Sequence, residues 1–304
     1  MIPSIFSNTK PTFNISGSEP VRFTSEKDLA AAWAEYAENK FKATPLEKAR
    51  DDLPPLEDHE CVIPSYNELD DCLKCMQKSK AAGPDTIPVE IYLASDLCRQ
   101  ALFDLVRKIC AEEKTPEDFV ISHFCPIYKN KGSSDDMSKY RYICLLNHSY
   151  KLLSVYLLRK LNIHEEVEFN LPPCQFGFRA NKGTRDAIYL LSTFIDECIE
   201  SGSETYATFI DFTAAFDSVS HKFLDYSLEK MGASVQSRAL FRTIYENAKG
   251  QIRVRNANGS YTFSRSFLIN RGVVQGDIFS PYGFIIALAI LVAEYRSGSS
   301  QLSI

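Results

Sequence analysis

Asp211 closes a run of aromatic, β-branched and small residues, Thr205-Tyr-Ala-Thr-Phe-Ile-Asp211, and opens the turn Phe212-Thr-Ala-Ala-Phe216-Asp217. Residues 206–210 have the composition and length of a buried strand, and Asp211 is the first charge after it. A carboxylate at the carboxyl end of a strand points into a crevice, where its hard oxygens suit Mg²⁺ held against a phosphate. Capping of the next turn explains a single Asp equally well, so the chemistry rests on its company. Downstream, Gly272-Val-Val-Gln275-Gly276-Asp277-Ile-Phe-Ser280-Pro281 precedes an apolar run over 282–293. Ser280 as N-cap and Pro281 at the first helical position predict a helix start. The glycines then form a loop at a helix N-terminus, where backbone N–H groups suit a phosphate and Gly276 permits close approach. A structural turn accounts for the glycines and Pro281 as well, but less readily for Gln275.

The elements that must position these groups are legible from periodicity. Helices are predicted over 25–42 (Leu29, Trp33, Tyr36 and Ala37 on one face), 65–80, 87–113, 149–162, 186–201, 220–231 and 237–247. Gly202 and Gly232 are stop signals for two of them. Strands are predicted over 120–128 and 140–145, joined by the polar loop 129–139. Asn258-Gly259 signals a hairpin between 251–255 and 260–267. Residues 1–25 are rich in Ser, Thr, Pro and Asn, and 51–64 are acidic and proline-rich, as in a linker.

The chain has 304 residues, enough for a large core and more than one subdomain, and a formal net charge of −5. The charge is uneven: residues 1–128 are acidic in balance, whereas 129–189 and 238–271 carry an excess of Lys and Arg. Two basic stretches flank the Asp211 segment, where a phosphate backbone would need them. Nine scattered cysteines give no disulfide framework and fit a reducing, intracellular compartment. Cys72-Leu-Lys-Cys75 has zinc-ligand spacing but no second pair. The apolar run over 282–293 is too short to span a bilayer, and the N-terminus does not read as a signal peptide.

The Asp211 and Gln275 segments together resemble the A and B motifs of reverse transcriptases, and about residues 60–293 are similar to the non-LTR (LINE-type) retrotransposon branch. Three further blocks match in order. Ser79-Lys-Ala-Ala-Gly83-Pro84-Asp85-Thr-Ile-Pro88 comes first. His123-Phe-Cys-Pro-Ile-Tyr-Lys129-Asn-Lys131-Gly132 follows, with Tyr140-Arg141-Tyr-Ile-Cys-Leu-Leu146 and Tyr150-Lys151-Leu-Leu153. Gln175-Phe-Gly177-Phe-Arg179 is the third.

The resemblance implies an α+β, right-hand polymerase fold. An N-terminal connector, partly disordered, would cover 1–60; helix-rich fingers would cover 61–204. The first part of a palm with an antiparallel sheet would cover 205–304, without a thumb. It implies RNA-directed DNA polymerase chemistry: template-directed nucleotidyl transfer with two Mg²⁺ ions about 4 Å apart. RNA template and DNA primer are the partners, deoxynucleoside triphosphates the substrates, and no membrane is involved. By position, Asp211 is the catalytic carboxylate and metal ligand, and the Phe212 carbonyl a further metal oxygen. Ala215 offers backbone to the triphosphate. Phe216 excludes a 2′-hydroxyl, its alternative being a core phenylalanine. Lys129 and Arg141 meet the triphosphate, with Lys131 the alternative to Lys129 across Asn130; Gln275 and Gly276 line the nucleotide, and Lys131 and Arg179 lie on the nucleic-acid side. Asp217 is expected to be a local hydrogen-bonding group.

The sequence departs from the family in places. Thr86 stands where Gly is usual, Tyr142 where a small residue or Pro is usual, and Val274 where a basic residue is common. The aromatic-x-Asp-Asp hairpin, which carries the other two carboxylates, does not occur before Ile304. The isolated chain is therefore expected to be inactive. The alternative reading is a non-catalytic RNA-binding or protein-interaction remnant.

Overall fold

The computed structural model describes residues 12–13, 21–23, 25–44, 55–161, 167–246 and 248–297. The N-terminal part has paired strands β1 (Thr12–Phe13) and β2 (Val21–Arg22), then helices α1 (Glu26–Lys40), α2 (Tyr66–Lys74), α3 (Val89–Ala94) and α4 (Asp96–Glu112). The hairpin β3 (Ile121–Tyr128) and β4 (Tyr140–Leu145) follows, then α5 (His148–Arg159), α6 (Val167–Asn170) and α7 (Thr184–Ser201). The one-turn α8 (Ala215–Ser218) leads to α9 (His221–Lys230) and α10 (Val235–Tyr245). Strands β5 (Lys249–Arg255), β6 (Tyr261–Phe263) and β7 (Phe267–Leu268) precede α11 (Ser280–Arg296).

Helices fall where apolar periodicity puts them, with two differences. The helix predicted over 65–80 ends at Lys74, and the one over 87–113 is divided at Ser95, whose hydroxyl accepts from the Cys98 N–H and restarts the chain as α4. The apolar run over 282–293 lies in α11, with Ile285, Ile286 and Ala289 buried. No described helix is long and apolar enough to cross a membrane.

One five-stranded sheet organises the body, in the order β4-β3-β5-β6, with β7 also on β5. β3 and β4 pair antiparallel, Phe124 opposite Cys144 and Tyr128 opposite Tyr140. β5 lies along β3 in parallel, Phe124 opposite Ile252, while β6 and β7 are antiparallel to β5. The sheet is thus mixed rather than antiparallel, and it takes strands from both sides of the expected 204/205 boundary. Parallel neighbours need a long crossover, which the helical chain between β4 and β5 provides. Residues 122–126 of the central β3 are buried on both faces of the sheet.

Helix α1 does not stand apart in a connector; it packs on this sheet. Ser25 starts it, accepting from the Asp28 N–H at 3.1 Å. Trp33 then lies against Tyr140 and Tyr142, at 5.0 and 5.9 Å between ring centres, and Phe41 against Phe124 at 5.4 Å. Tyr142 is fully buried there, so the large side chain at this position fills the space between β4 and α1. Most of residues 1–25, and residues 51–54 of the expected linker, lie outside the described residues.

The strand predicted over 206–210 does not form. Among the described residues no strand runs beside it to take its N–H and C=O groups. Tyr206, Phe209 and Ile210 are 91%, 83% and 75% exposed. Helix α7 before it has the predicted amphipathic sequence, yet none of its residues is buried.

Two changes test these assignments. Thr86 has φ +60°, a left-handed conformation that costs a β-branched residue about 1–2 kcal/mol. Thr86→Gly is therefore expected to raise stability by about 1 kcal/mol in urea unfolding. Asp225 of α9 is buried and binds Arg238 and Arg242 of α10 at 2.7 and 2.9 Å. Burial pushes its pKa up, but hydrogen bonds from Arg242 and Arg238 outweigh this and hold it below the usual carboxylate range. Asp225→Ala removes the buried carboxylate that Arg238 and Arg242 share, and should cost about 3 kcal/mol in the same measurement.

Candidate nucleotide-binding site

The Gln275 loop is fixed by the free edge of β4. The Cys144 N–H donates to the Gln275 carbonyl at 2.7 Å. Gly276, at φ +122°, lies so close that a Cβ there would sit 2.6 Å from the Cys144 carbonyl oxygen. Its lack of a side chain therefore serves contact with a strand; the close approach is to protein backbone. The turn after Asp211 is tied to the same loop. The Val273 N–H donates to the Phe216 carbonyl at 2.8 Å and the Gly272 N–H to the Val219 carbonyl at 2.7 Å. A Cβ on Gly272 would meet the Asp217 carbonyl at 2.9 Å.

Gln275 and Asp217 then meet directly, Gln275 Nε2 donating to Asp217 Oδ1 at 3.3 Å. The second carboxylate oxygen, Oδ2, is 2.7 Å from Lys40 Nζ, at the end of α1. Asp217, expected to make local bonds, is instead a buried hub joining three distant stretches of chain. Lys40 had no signal in the sequence beyond ending an amphipathic helix. Its ammonium lies 5.3 Å from the centre of the Tyr142 ring.

The cations sit on the β3–β4 hairpin. Lys129 Nζ donates to the Ser138 carbonyl at 3.0 Å. Burial, then the fields of Lys40 and Arg141, lowers the Lys129 pKa, while Asp217 acts in the opposite sense. Arg141 is exposed on β4, and Lys131 is exposed in the loop that follows β3. Arg179 is turned inward: Nε donates to Glu168 at 2.8 Å and one terminal nitrogen to the Pro172 carbonyl at 3.0 Å. Its bonds tie Arg179 to the chain around α6 and leave little of it to face a nucleic acid.

Asp211 and Phe212 are exposed, and Ala215 begins the half-buried α8. Phe216 stacks on Phe284 of α11 at 4.9 Å between ring centres and meets Phe178 edge-on at 5.9 Å. Among the described residues no three His, Cys, Asp or Glu side chains converge as a metal cluster. One carboxylate from Asp211 and one carbonyl from Phe212 are fewer oxygens than two Mg²⁺ ions require, so these residues alone do not fit the two-ion centre. Burial pushes the Cys72 thiol up to about 11, away from the thiolate that zinc would need.

The anion at the α11 N-terminus is the protein's own. Helix α11 begins at Ser280, one residue earlier than its predicted role as N-cap, and Ser280 is buried. Asp277 is buried beside it, accepting from Ser154 Oγ, from Ser280 Oγ at 3.4 Å and from the Ile278 and Phe279 N–H groups. Ser154 in turn accepts from the Phe279 N–H at 3.2 Å. Together these groups take the place expected for a phosphate.

A hairpin carrying Lys129 and Arg141 is thus bonded through β4 to a Gln-bearing loop, and through that loop to the turn after Asp211. The family model for reverse transcriptase (RNA-dependent DNA polymerase) matches residues 127–303, and the chain belongs to this family. It is 24% identical over 266 residues to the RNA-directed DNA polymerase from mobile element jockey of Drosophila funebris, covering 84% of this chain and 28% of that protein. It is 24% identical over 283 residues to the probable RNA-directed DNA polymerase from transposon BS of Drosophila melanogaster, covering 88% and 30%. It is 27% identical over 220 residues to the retrovirus-related Pol polyprotein from type-1 retrotransposable element R2 of Popillia japonica, covering 72% and 29%. These relatives bear out the resemblance to the non-LTR branch. The chain spans less than a third of their length.

Asp277 gives the site a pH signature. Burial pushes its pKa up to about 6 despite its hydrogen bonds. The folded state then holds a proton that the unfolded chain has lost between about pH 4 and 6, so stability falls as pH rises through that window. Asp277→Asn, which cannot ionise, should gain up to about 3 kcal/mol on the wild type between pH 4 and 7. Urea unfolding across that range checks this; parallel curves for the two proteins would refute it.

Proposed function

We propose that this chain is the nucleotide- and template-binding part of an RNA-directed DNA polymerase. The observation that carries the reading is the contact of Gln275 with Asp217, in the turn that follows Asp211, beside a hairpin bearing Lys129 and Arg141. A carboxamide for the nucleotide and cations for its phosphates thus lie around one place. Lys can follow a phosphate as a mobile point charge, while Arg can fork onto two of its oxygens. We assign Asp211 as the reaction's carboxylate, with the Phe212 carbonyl as the adjoining metal oxygen, Mg²⁺ as the ion, and deoxynucleoside triphosphates as substrates. Lys131 extends the cationic edge toward an RNA template paired with a DNA primer. Arg179 acts as an internal brace, and Phe216 as a wall of the site supported by Phe284.

Among the described residues Asp211 has no strand beside it to hold its direction, and no other carboxylate joins it where two metal ions need several. Binding without turnover is the consequence. The second reading, a module that binds RNA and has no use for nucleotides, is favoured by the exposure of Asp211 alone.

Two measurements test the proposal. The purified chain, given Mg²⁺, deoxynucleotides and a primed RNA template, should show no extension; templated extension abolished by Asp211→Asn would overturn the inactive part of it. RNA·DNA duplex should bind with an affinity that falls steeply with salt, and alanine at Lys129, Lys131 and Arg141 together should flatten that slope by roughly three phosphate contacts. Binding of RNA without any binding of deoxynucleotides would favour the second reading.

A further inference from the structure

Lys40 lies outside the segment that matches the family model, yet it reaches the middle of the candidate site. We propose that Lys40 is a phosphate-binding cation of this site, held on Asp217 until an incoming nucleoside triphosphate draws it away. The inference rests on the nucleotide-binding reading above and adds to it a residue from the N-terminal helix.

Charge balance is the first support. Lys40 pairs with Asp217, and Lys129 feels the fields of Lys40, Arg141 and this one carboxylate. Lys129 donates to a carbonyl, and Arg141 has no ion pair among the described residues; Lys139, the next cation, has Asp136 at 3.7 Å. Three cations against one carboxylate leave an excess of positive charge, and burial together with the fields of Lys40 and Arg141 makes charging of Lys129 less favourable. An anion with several charges would relieve this repulsion.

Accessibility and mechanics are the second. The Lys40 side chain is 21% exposed, whereas Asp217 is 8% exposed beneath it, so the ammonium forms the lid of the pair. Its four-carbon stem can swing without moving α1, because Trp33 and Phe41 on either side of it anchor that segment to the sheet. The face of Tyr142 gives the ammonium a platform near the pair. When Lys40 leaves, Asp217 keeps its bond from Gln275, so the carboxamide stays in place.

The experiment is calorimetric titration of the full 304-residue chain with dTTP, and with thymidine as the phosphate-free control. Lys40→Met keeps the stem over Tyr142 and should weaken dTTP about tenfold, with Lys40→Arg recovering most of it. Asp217→Asn keeps an acceptor for Gln275 but releases Lys40, and should tighten dTTP several-fold. Thymidine binding should not change in the Lys40 variants. A positioning role for the ion pair would instead make Lys40→Met and Asp217→Asn weaken dTTP alike, and that result overturns the proposal. So does unchanged dTTP affinity in a Lys40→Met protein whose thermal unfolding matches the wild type. If Gln275→Ala loses dTTP while Lys40→Met does not, only the role of Lys40 fails. If the wild-type chain does not bind dTTP, the nucleotide-site reading falls with it.

Discussion

The pairing of the Gln275 loop with the open edge of β4 is the constraint on which the site depends. A sheet edge presents unpaired N–H and C=O groups, and a loop lying against it satisfies them and shields the edge. Here the Cys144 N–H finds the Gln275 carbonyl, and the fit is close enough that only glycine is accommodated at 276. Everything after it follows in sequence. The loop brings Gly272 and Val273 to the backbone of the Asp217 turn, the turn presents its carboxylate to Gln275, and α1 adds Lys40. Three stretches far apart in the chain are thereby referred to one strand.

The two halves of the Asp211 segment have opposite fates. From Ala215 onward the chain is held by backbone bonds to the Gln275 loop and by Phe216 against Phe284. From 203 to 212 it has neither strand partner nor burial, and α7 before it turns Ile188, Tyr189, Phe194 and Ile199 to solvent. Burying a large apolar side chain is worth about 1.5–3 kcal/mol, so a surface of this composition gains greatly from being covered. The role proposed for Asp211 needs the opposite of this exposure: neighbours that lock its rotamer and lower the dielectric around it. The turn from Ala215 onward is thus held by its neighbours in this chain, and the segment that bears Asp211 is not.

Buried polar groups link the remaining helices. Asp277 and Ser154 join α11 to α5 at the helix start, and Asp225 with two arginines joins α9 to α10. The first is a carboxyl held by hydroxyl and backbone donors without a paired cation, so its ionisation is disfavoured. The second is charged and paired on both sides. The same residue type thus has its pKa raised in one place and lowered in the other, according to whether guanidinium groups compensate for lost water.

The sequence by itself determined most of the long helices, the β3–β4 and β5–β6 hairpins and the family. Those depend on 3.6-residue and 2-residue apolar periods, on turn residues such as Asn258-Gly259, and on ordered motifs, all of which are local. Tertiary structure alone decided the parallel β3–β5 pairing, the docking of α1 and the exposure of residues 206–210. It also decided the inward turn of Arg179 and the meeting of Lys40 with Asp217. Strand-forming residues at 206–210 state a preference, but a strand exists only where another supplies its hydrogen bonds. Likewise a lysine at the end of a helix is a surface charge by default, and it enters a site only because the rings of Trp33 and Phe41 carry that helix onto the sheet beside Asp217.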